Sequence, residues 1–140
     1  MKLPWVCVLM MNSIWCLSQN IMITPDGQEY MSIFFAGGSY AVDPQQKQEL
    51  HEWLNQKENL HEYNIVLHSH TDNIGSVSYN QFLSSMRSET VILSLEEIMI
   101  NRDEIQVKDF GELNPLFDNG TLQGRLSNRR VDIILMPPSS

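Results

Sequence analysis

The spacing of apolar and polar residues changes along this chain, and each spacing is typical of one kind of element. Short apolar or alternating runs, bounded by turn residues, predict four strands at residues 31–35, 63–68, 104–110 and 130–135. Between them, apolar residues recur every three or four positions behind capping residues, which predicts helices over 43–59 and 78–100. A shorter helix is expected at 121–128.

The order of these elements predicts the fold class. They alternate as β-α-β-α-β-(α)-β, which gives a sheet with helices packed against it. We therefore expect an α/β fold: a two-layer sandwich with a four-stranded mixed sheet and two long helices. Asp43, followed by Pro44, is expected to cap the first long helix, and Ser78 the second.

The N-terminal residues have the pattern of an export signal. Lys2 precedes a largely apolar run from Leu3 to Leu17, which is short for a membrane span of about 20 residues. Small residues at positions 16 and 18 suit cleavage after Ser18. The predicted divisions of the chain are a signal peptide at 1–18, a short polar leader at 19–29, one domain at 30–136 and a tail at 137–140.

Both cysteines, Cys7 and Cys16, fall within the predicted signal peptide. The mature chain is therefore expected to have no disulfide and no thiol chemistry. Lipidation of Cys16 is an alternative, although Trp15 is larger than the residue that such a signal prefers before its cysteine. The sequence leaves open whether the protein is free or anchored by lipid.

The composition, with 42% hydrophobic and 19% charged residues, is ordinary for a globular domain of 140 residues. The net charge of −8 argues against nucleic acid as a partner, because a phosphate-binding surface needs a basic excess. Three arginines near the C-terminus, Arg125, Arg129 and Arg130, are a weak sign of a polyanion patch. Such arginines more often pair with carboxylates, here Glu112 or Asp118.

Residues 68–72 spell H-x-H-x-D, a pattern with which metallohydrolases hold zinc. Alternate residues of a strand share a face, so His68, His70 and Asp72 could point the same way. A catalytic zinc site needs three protein ligands and further partners for its histidines, and no histidine follows position 70. The metal site is therefore the weaker hypothesis, and we expect no cofactor. No nucleophile or phosphate-loop motif predicts an enzyme.

An acid and a base flank the predicted turn between the second strand and the second helix. Arg87 lies nine residues past Ser78, about 13 Å along the helix, and its side chain leans back toward Asp72 and the turn. Together with the N–H groups of the helix start, the pair could hold the ammonium and the carboxylate of one zwitterion. From spacing alone, a plain salt bridge between Asp72 and Arg87 is the simpler explanation.

Several short motifs follow one another in a fixed order. They are His70–Ser76, Tyr79–Asn80, Leu83–Ser84 with Arg87, Phe110–Glu112, Asn114–Pro115, Gly124–Arg125 and Asn128–Val131. In these motifs the chain resembles the OmpA-like periplasmic domain of OmpA proteins, peptidoglycan-associated lipoproteins and MotB-type stator proteins. The resemblance covers residues 31–136, nearly all of the predicted mature chain.

This resemblance implies non-covalent, non-enzymatic binding of peptidoglycan through the diaminopimelate of its stem peptide. In the family, an aspartate and an arginine at the positions of Asp72 and Arg87 hold the free amino-acid end of that residue. The resemblance therefore favours a clamp, in which Asp72 and Arg87 each bind one charge of the ligand, over a salt bridge between the two residues. Thr71, Asn80 and Leu83 match positions near the site. The implied location is the periplasm or the outer membrane.

The chain departs from the family pattern in one place that matters for the site. The family's first strand carries an aspartate after a phenylalanine, and residues 34–39, FFAGGS, have none. This departure makes an interaction module, which keeps the fold without binding the wall, the alternative function. The arginine-rich motif at 128–130 is expected to be mainly structural. The oligomeric state and any protein partner stay open.

Overall fold

One sheet organises the fold. The computed structural model describes residues 21–138, so the predicted signal peptide and the last two residues lie outside the described part of the chain. The elements in chain order are β1 (Ile21–Ile23), β2 (Glu29–Phe34), α1 (Pro44–Asn55), β3 (Asn64–His70), α2 (Val77–Glu96), β4 (Ile105–Gly111), α3 (Leu122–Asn128) and β5 (Arg130–Met136). None of these helices is both long and apolar enough to cross a membrane.

The last strand of the chain lies in the middle of the sheet, in the order β1-β2-β5-β3-β4. β3 and β4 run parallel, whereas β5 pairs antiparallel with both β2 and β3. The start of β5 therefore lies beside the ends of its neighbours, with Phe34 opposite Arg130 and Ser69 opposite Val131. The predicted α/β class and the mixed sheet are confirmed.

The sheet has five strands, one more than predicted. The extra strand, β1, lies within residues 19–29, which we expected to be a polar leader. β1 pairs antiparallel with β2 across a turn in which the N–H of Gly27 donates to the carbonyl oxygen of Thr24 at 3.0 Å. A strand of three residues is too short to show a period, so the pattern of apolar residues did not reveal it.

The hydrophobic core lies between the sheet and the two long helices. Alternate side chains of β2, β3 and β5 point toward α1 and α2. The core side chains are Met31, Ile33, Phe35, Leu50, Trp53, Leu54, Ile65, Leu67, Val91, Ile92, Leu95, Ile100, Val131, Ile133 and Leu135. The predicted cap of α1 is present, because the Asp43 carboxylate accepts hydrogen bonds from the N–H groups of Gln45 and Gln46.

The start of α2 differs from the prediction. Ser76 caps this helix, since its Oγ accepts a hydrogen bond from the N–H of Tyr79 at 3.1 Å, and the predicted cap, Ser78, lies within the first turn. Gly75 has a positive φ of 101°, which glycine adopts without steric penalty, and this lets the loop turn directly into Ser76.

Two serines fix α2 to the sheet on either side of the turn that carries Arg87. The Oγ of Ser84 accepts a hydrogen bond from the N–H of Gly111 at 3.1 Å, and the Ser84 carbonyl oxygen accepts one from Ser69 Oγ at 2.7 Å. Ser88 donates to the carboxylate of Asp109 at 2.6 Å. Because these contacts reach β3 and β4, they set the position of Arg87 relative to the ends of both strands.

Candidate binding site

Two loops meet at the end of the sheet where β2 and β3 finish. One loop covers residues 35–40, after β2, and the other covers residues 71–76, between β3 and α2. Tyr79 lies against both loops: a Cβ atom on Gly75 would be 3.1 Å from its ring, and one on Gly38 would be 3.6 Å from its hydroxyl oxygen. Glycine at position 75 therefore lets the ring approach the second loop closely, whereas the distance at Gly38 is that of an ordinary contact.

Arg87 ties these loops together from beneath. Its Nε donates to the carbonyl oxygen of Ser39 at 2.8 Å, its Nη1 to that of His70 at 3.0 Å and its Nη2 to that of Ala36 at 3.2 Å. Only 1% of the residue is exposed, and its guanidinium lies 5.0 Å from the centre of the Phe35 ring. The arginine is thus held by neutral acceptors in a mainly buried place.

The surroundings lower the pKa of Arg87 to about 10. Burial is the largest cause, the charge of Asp72 opposes it, and the charge of Arg129 adds to it. Since this pKa is still well above neutral, Arg87 stays protonated at physiological pH. A buried charge is stable only when it is compensated, and no carboxylate from residues 21–138 lies within 4.0 Å of this guanidinium.

Asp72 is bound to a different arginine from the one that we considered. Its Oδ1 accepts a hydrogen bond from the N–H of Ile74 at 3.0 Å, and its Oδ2 accepts one from the Nε of Arg129 at 2.6 Å. The simple salt bridge between Asp72 and Arg87 is therefore wrong for the described structure. The pairing of Arg129 with Glu112 or Asp118 is wrong as well.

The sheet order explains the Asp72–Arg129 pair. Arg129 directly precedes β5 and Asp72 follows β3, and these strands are antiparallel neighbours. The two residues are 57 positions apart in the chain, so no local spacing predicts their contact. The only sequence sign of a role for Arg129 was its place in the arginine-rich motif, which we expected to be mainly structural.

The other predicted site residues lie around this cluster. Thr71 is buried and donates through its Oγ1 to the carbonyl oxygen of Asp72 at 2.8 Å. Asn80 is buried, its Nδ2 donates to Glu112 at 2.7 Å, and its Oδ1 has no hydrogen-bond partner in the described part of the chain. Leu83 is buried on the next turn of α2. Thr71 is thus tied to Asp72, Asn80 lies beside the loop at Gly75, and Leu83 contributes apolar packing.

The side chains of the H-x-H-x-D run point to different places within the described part of the chain. His68 and His70 both contact Phe110, with ring centroids 5.2 Å and 5.0 Å away, whereas Asp72 faces Arg129. Across residues 21–138, no group of three or more His, Cys, Asp or Glu side chains could hold a metal ion. The histidines therefore belong to the sheet face opposite the two long helices.

The sheet order, the two helices on one face and the loops around Asp72 and Arg87 define a known class of domain. Residues 34–129 match the OmpA family, and the chain belongs to that family. A solved structure with this fold is the peptidoglycan-associated lipoprotein from Burkholderia pseudomallei, with a TM-score of 0.69 and 23% identity over 75% of this chain and 89% of that one.

Two curated relatives each match about half of this chain. The outer-membrane lipoprotein YfiB from Pseudomonas aeruginosa is 44% identical over 71 residues, which are 51% of this chain and 42% of YfiB. The peptidoglycan-binding protein ArfA from Mycobacterium tuberculosis is 35% identical over 71 residues, or 51% of this chain and 22% of ArfA. The chain therefore spans less than half the length of either relative. Relatives that are named as outer-membrane proteins, YfiB among them, confirm the predicted periplasmic or outer-membrane location. Neither YfiB nor ArfA is named as an enzyme.

Proposed function

We propose that this domain binds peptidoglycan without cleaving it, through the free amino-acid end of diaminopimelate in the stem peptide. The observation that carries the proposal is Arg87, a buried and protonated arginine beside Asp72 whose side-chain hydrogen bonds all go to neutral carbonyl oxygens. A bound carboxylate would supply the missing negative charge. The relationship to ArfA, which is named as a peptidoglycan-binding protein, supports the same ligand.

The two charges suit a zwitterion. Asp72 would accept hydrogen bonds from the ammonium group of the ligand, while the N–H groups of Arg87 that are not used by the loops would donate to its carboxylate. The unpartnered Oδ1 of Asn80 offers a further acceptor for the ammonium. Thr71 would act through Asp72, whose backbone it holds, and Leu83 through packing.

Diaminopimelate is distinguished by where it carries these charges. Within a peptide, most amino-acid residues have lost their α-ammonium and α-carboxylate to amide bonds, whereas the side chain of diaminopimelate ends in a complete amino-acid group. A site that needs both charges on one carbon therefore rejects ordinary peptide segments. Because Arg87 is 1% exposed, the loop at 35–40 has to move outward to admit the carboxylate.

Co-sedimentation with purified sacculi tests the proposal. Wild-type protein should pellet with the sacculi, and Asp72→Ala and Arg87→Ala should bind about tenfold or more weakly, as expected for the loss of a charged hydrogen bond. If Arg87→Ala does not fold, Arg87→Lys replaces it in the test, because lysine keeps the positive charge but lacks the planar guanidinium group. Arg102→Ala is the matched control, because Arg102 is an exposed arginine paired with Glu89. Normal binding by both Asp72→Ala and a folded Arg87 variant would refute the clamp.

An interaction module without wall binding is the second candidate. The observation that favours it is that residues 34–39, which lead into the loop over Arg87, have no aspartate although the family pattern carries one there. A titration with diaminopimelate followed by NMR separates the two functions. Wall binding through diaminopimelate requires chemical-shift changes in residues 71–87, and an interaction module without the site would show none there.

A further inference from the structure

We propose that the end of the domain opposite the candidate site holds a docking groove for a peptide segment of a partner protein, in which lysine or arginine stands next to apolar residues. This distal groove lies between residues 60–65, which lead into β3, and residues 98–104, which follow α2, and its volume is about 410 Å³. The inference is independent of the proposed function, because it concerns neither diaminopimelate nor any residue that would bind it.

The distal groove has apolar walls. Leu60 and Ile98 pack against the hydrophobic core and leave part of their surface in the groove, and the buried Ile65 lies beside them. Met99 also lines the groove, and it is 88% exposed. A concave apolar surface with an exposed apolar edge is typical of a site that binds a partner.

The backbone at Met99 has a conformation that a purely structural residue would avoid. Its φ is +68°, a value at which glycine is favoured and a side chain is strained. The N–H of Met99 donates to the carbonyl oxygen of Glu96 at 3.0 Å, and the N–H of Ile100 donates to that of Leu95 at 3.2 Å. Met99 therefore ends α2 at a position where glycine is the usual residue. A methionine that is both exposed and strained there gains from contact with a partner.

The edge of the distal groove is acidic, and its charge is not compensated. Asp103 and Glu104 line the groove, and neither has a lysine, arginine or histidine nitrogen within 4.0 Å among residues 21–138. One oxygen of Glu104 accepts a hydrogen bond from the N–H of Asn101 at 3.4 Å. The nearby Arg102 is engaged elsewhere, because it pairs with two glutamates of α2.

This charge selects the occupant. No lysine or arginine lines the groove in the described part of the chain, so a basic segment would supply the missing positive charge while its apolar residues fill the groove. A second copy of this chain is a poorer fit. Its net charge is −8, and two acidic edges would repel each other.

The distal groove and the candidate site lie at opposite ends of one strand. Asn64 and Ile65, which line the groove, begin β3, and Asp72 lies two residues past the end of that strand. A strand of seven residues spans about 20 Å. A ligand at Asp72 therefore leaves the groove open, and the domain can hold both partners at once.

Selection from a phage-displayed library of random peptides on the purified protein tests the proposal. The enriched peptides should carry lysine or arginine next to apolar residues, and calorimetry with synthetic copies gives their affinities at low and high salt. Asp103→Asn combined with Glu104→Gln should bind them roughly tenfold more weakly at low salt and with a smaller dependence on salt. Met99→Gly should also bind them roughly tenfold more weakly, while its unfolding temperature does not fall, because glycine relieves the strained backbone.

The controls separate the distal groove from the rest of the surface. Glu49→Gln combined with Glu52→Gln removes the same two charges from α1 and should leave the affinity unchanged, as should Asp72→Ala at the other end of β3. The proposal is overturned if no peptides are enriched, if the enriched peptides have no basic excess, or if the groove variants bind them as wild type does. A wild-type dimer in sedimentation that Met99→Gly disrupts would overturn it too, since the occupant would then be a second copy.

Discussion

Two consecutive arginines, Arg129 and Arg130, meet carboxylates on opposite faces of the sheet. Arg130 bonds Asp132, two residues along the same strand, through its Nε at 3.1 Å, and Asp132 also accepts from Ser32 at 2.6 Å. Arg129 bonds Asp72, from another strand's end, and leaves its Nη edge open. The comparison shows that two adjacent arginines of the chain can take part in different interactions. Both residues of one pair lie on the same strand, whereas the other pair joins the ends of two strands.

The surroundings of the two pairs support this division. The guanidinium of Arg130 lies 5.5 Å from the centre of the Phe117 ring, and its Nη1 donates to the carbonyl oxygen of Ser127. These contacts join β5 to the segment before it, on the face away from α1 and α2. The contacts of Arg129 instead join the two loops of the candidate site. Stability should therefore depend more on Arg130, and binding on Arg129.

Removal of Arg130 should give the largest loss of stability. Its side chain is 6% exposed and that of Asp132 is 13% exposed, so Arg130→Ala leaves a mainly buried carboxylate without its cation. We expect the free energy of unfolding to fall by about 3 kcal/mol, measured by urea denaturation, with ligand affinity of the folded protein unchanged. The exposed Arg102→Ala should lose less than about 1 kcal/mol. Equal losses of stability in the two variants would contradict the inference that the Arg130–Asp132 pair stabilises the fold.

The face that carries Arg130 should also make stability depend on pH. Burial and the charge of Arg130 lower the pKa of His70 to about 4, against an ordinary value of 6.5. The unfolded chain therefore takes up a proton below pH 6.5 that the folded chain does not accept until about pH 4. Stability should fall as the pH decreases from 6.5 toward 4. His68 should add to this fall, because burial and Lys108 lower its pKa as well.

Urea denaturation at pH 7 and pH 5 measures this dependence. His70→Gln should make the two unfolding curves more similar, whereas His61→Gln should not, since the side chain of His61 is 77% exposed. An unchanged difference between the two pH values in His70→Gln would show that the buried histidine is not its source.

Removal of Arg129 should destabilise the protein less than removal of Arg130. Asp72 loses its direct partner in Arg129→Ala, but the charge of Arg87 remains close enough to interact with it. We expect a loss of about 1 to 2 kcal/mol in urea denaturation, together with weaker sacculus binding. A loss of stability as large as that of Arg130→Ala would mean that the Asp72–Arg129 pair mainly stabilises the fold.

The features that could be predicted from the sequence are the local ones. The order of strands and helices, the cap at Asp43 and the placement of Asp72 and Arg87 around one turn all follow from residues close in the chain. The Asp72–Arg129 contact could not be predicted, because it depends on β5 entering the sheet between β2 and β3. For the same reason, the predicted carboxylate partner of Arg129 was wrong.

The start of α2 shows the limit of local reasoning, and it gives the smallest expected effect. Ser76 and Ser78 both have the residue type of a helix cap, but Ser76 follows Gly75, whose positive φ brings the chain into the helix at that point. Ser76→Ala should lower the free energy of unfolding by about 0.5 to 1 kcal/mol, measured by urea denaturation, because the N–H of Tyr79 loses its acceptor. Ser78→Ala is the matched control and should change stability by less than about 0.5 kcal/mol. A larger loss of stability in Ser78→Ala than in Ser76→Ala would show that Ser78 is the cap. It would also move the start of the helix away from Asp72, and with it the backbone that orients one wall of the site.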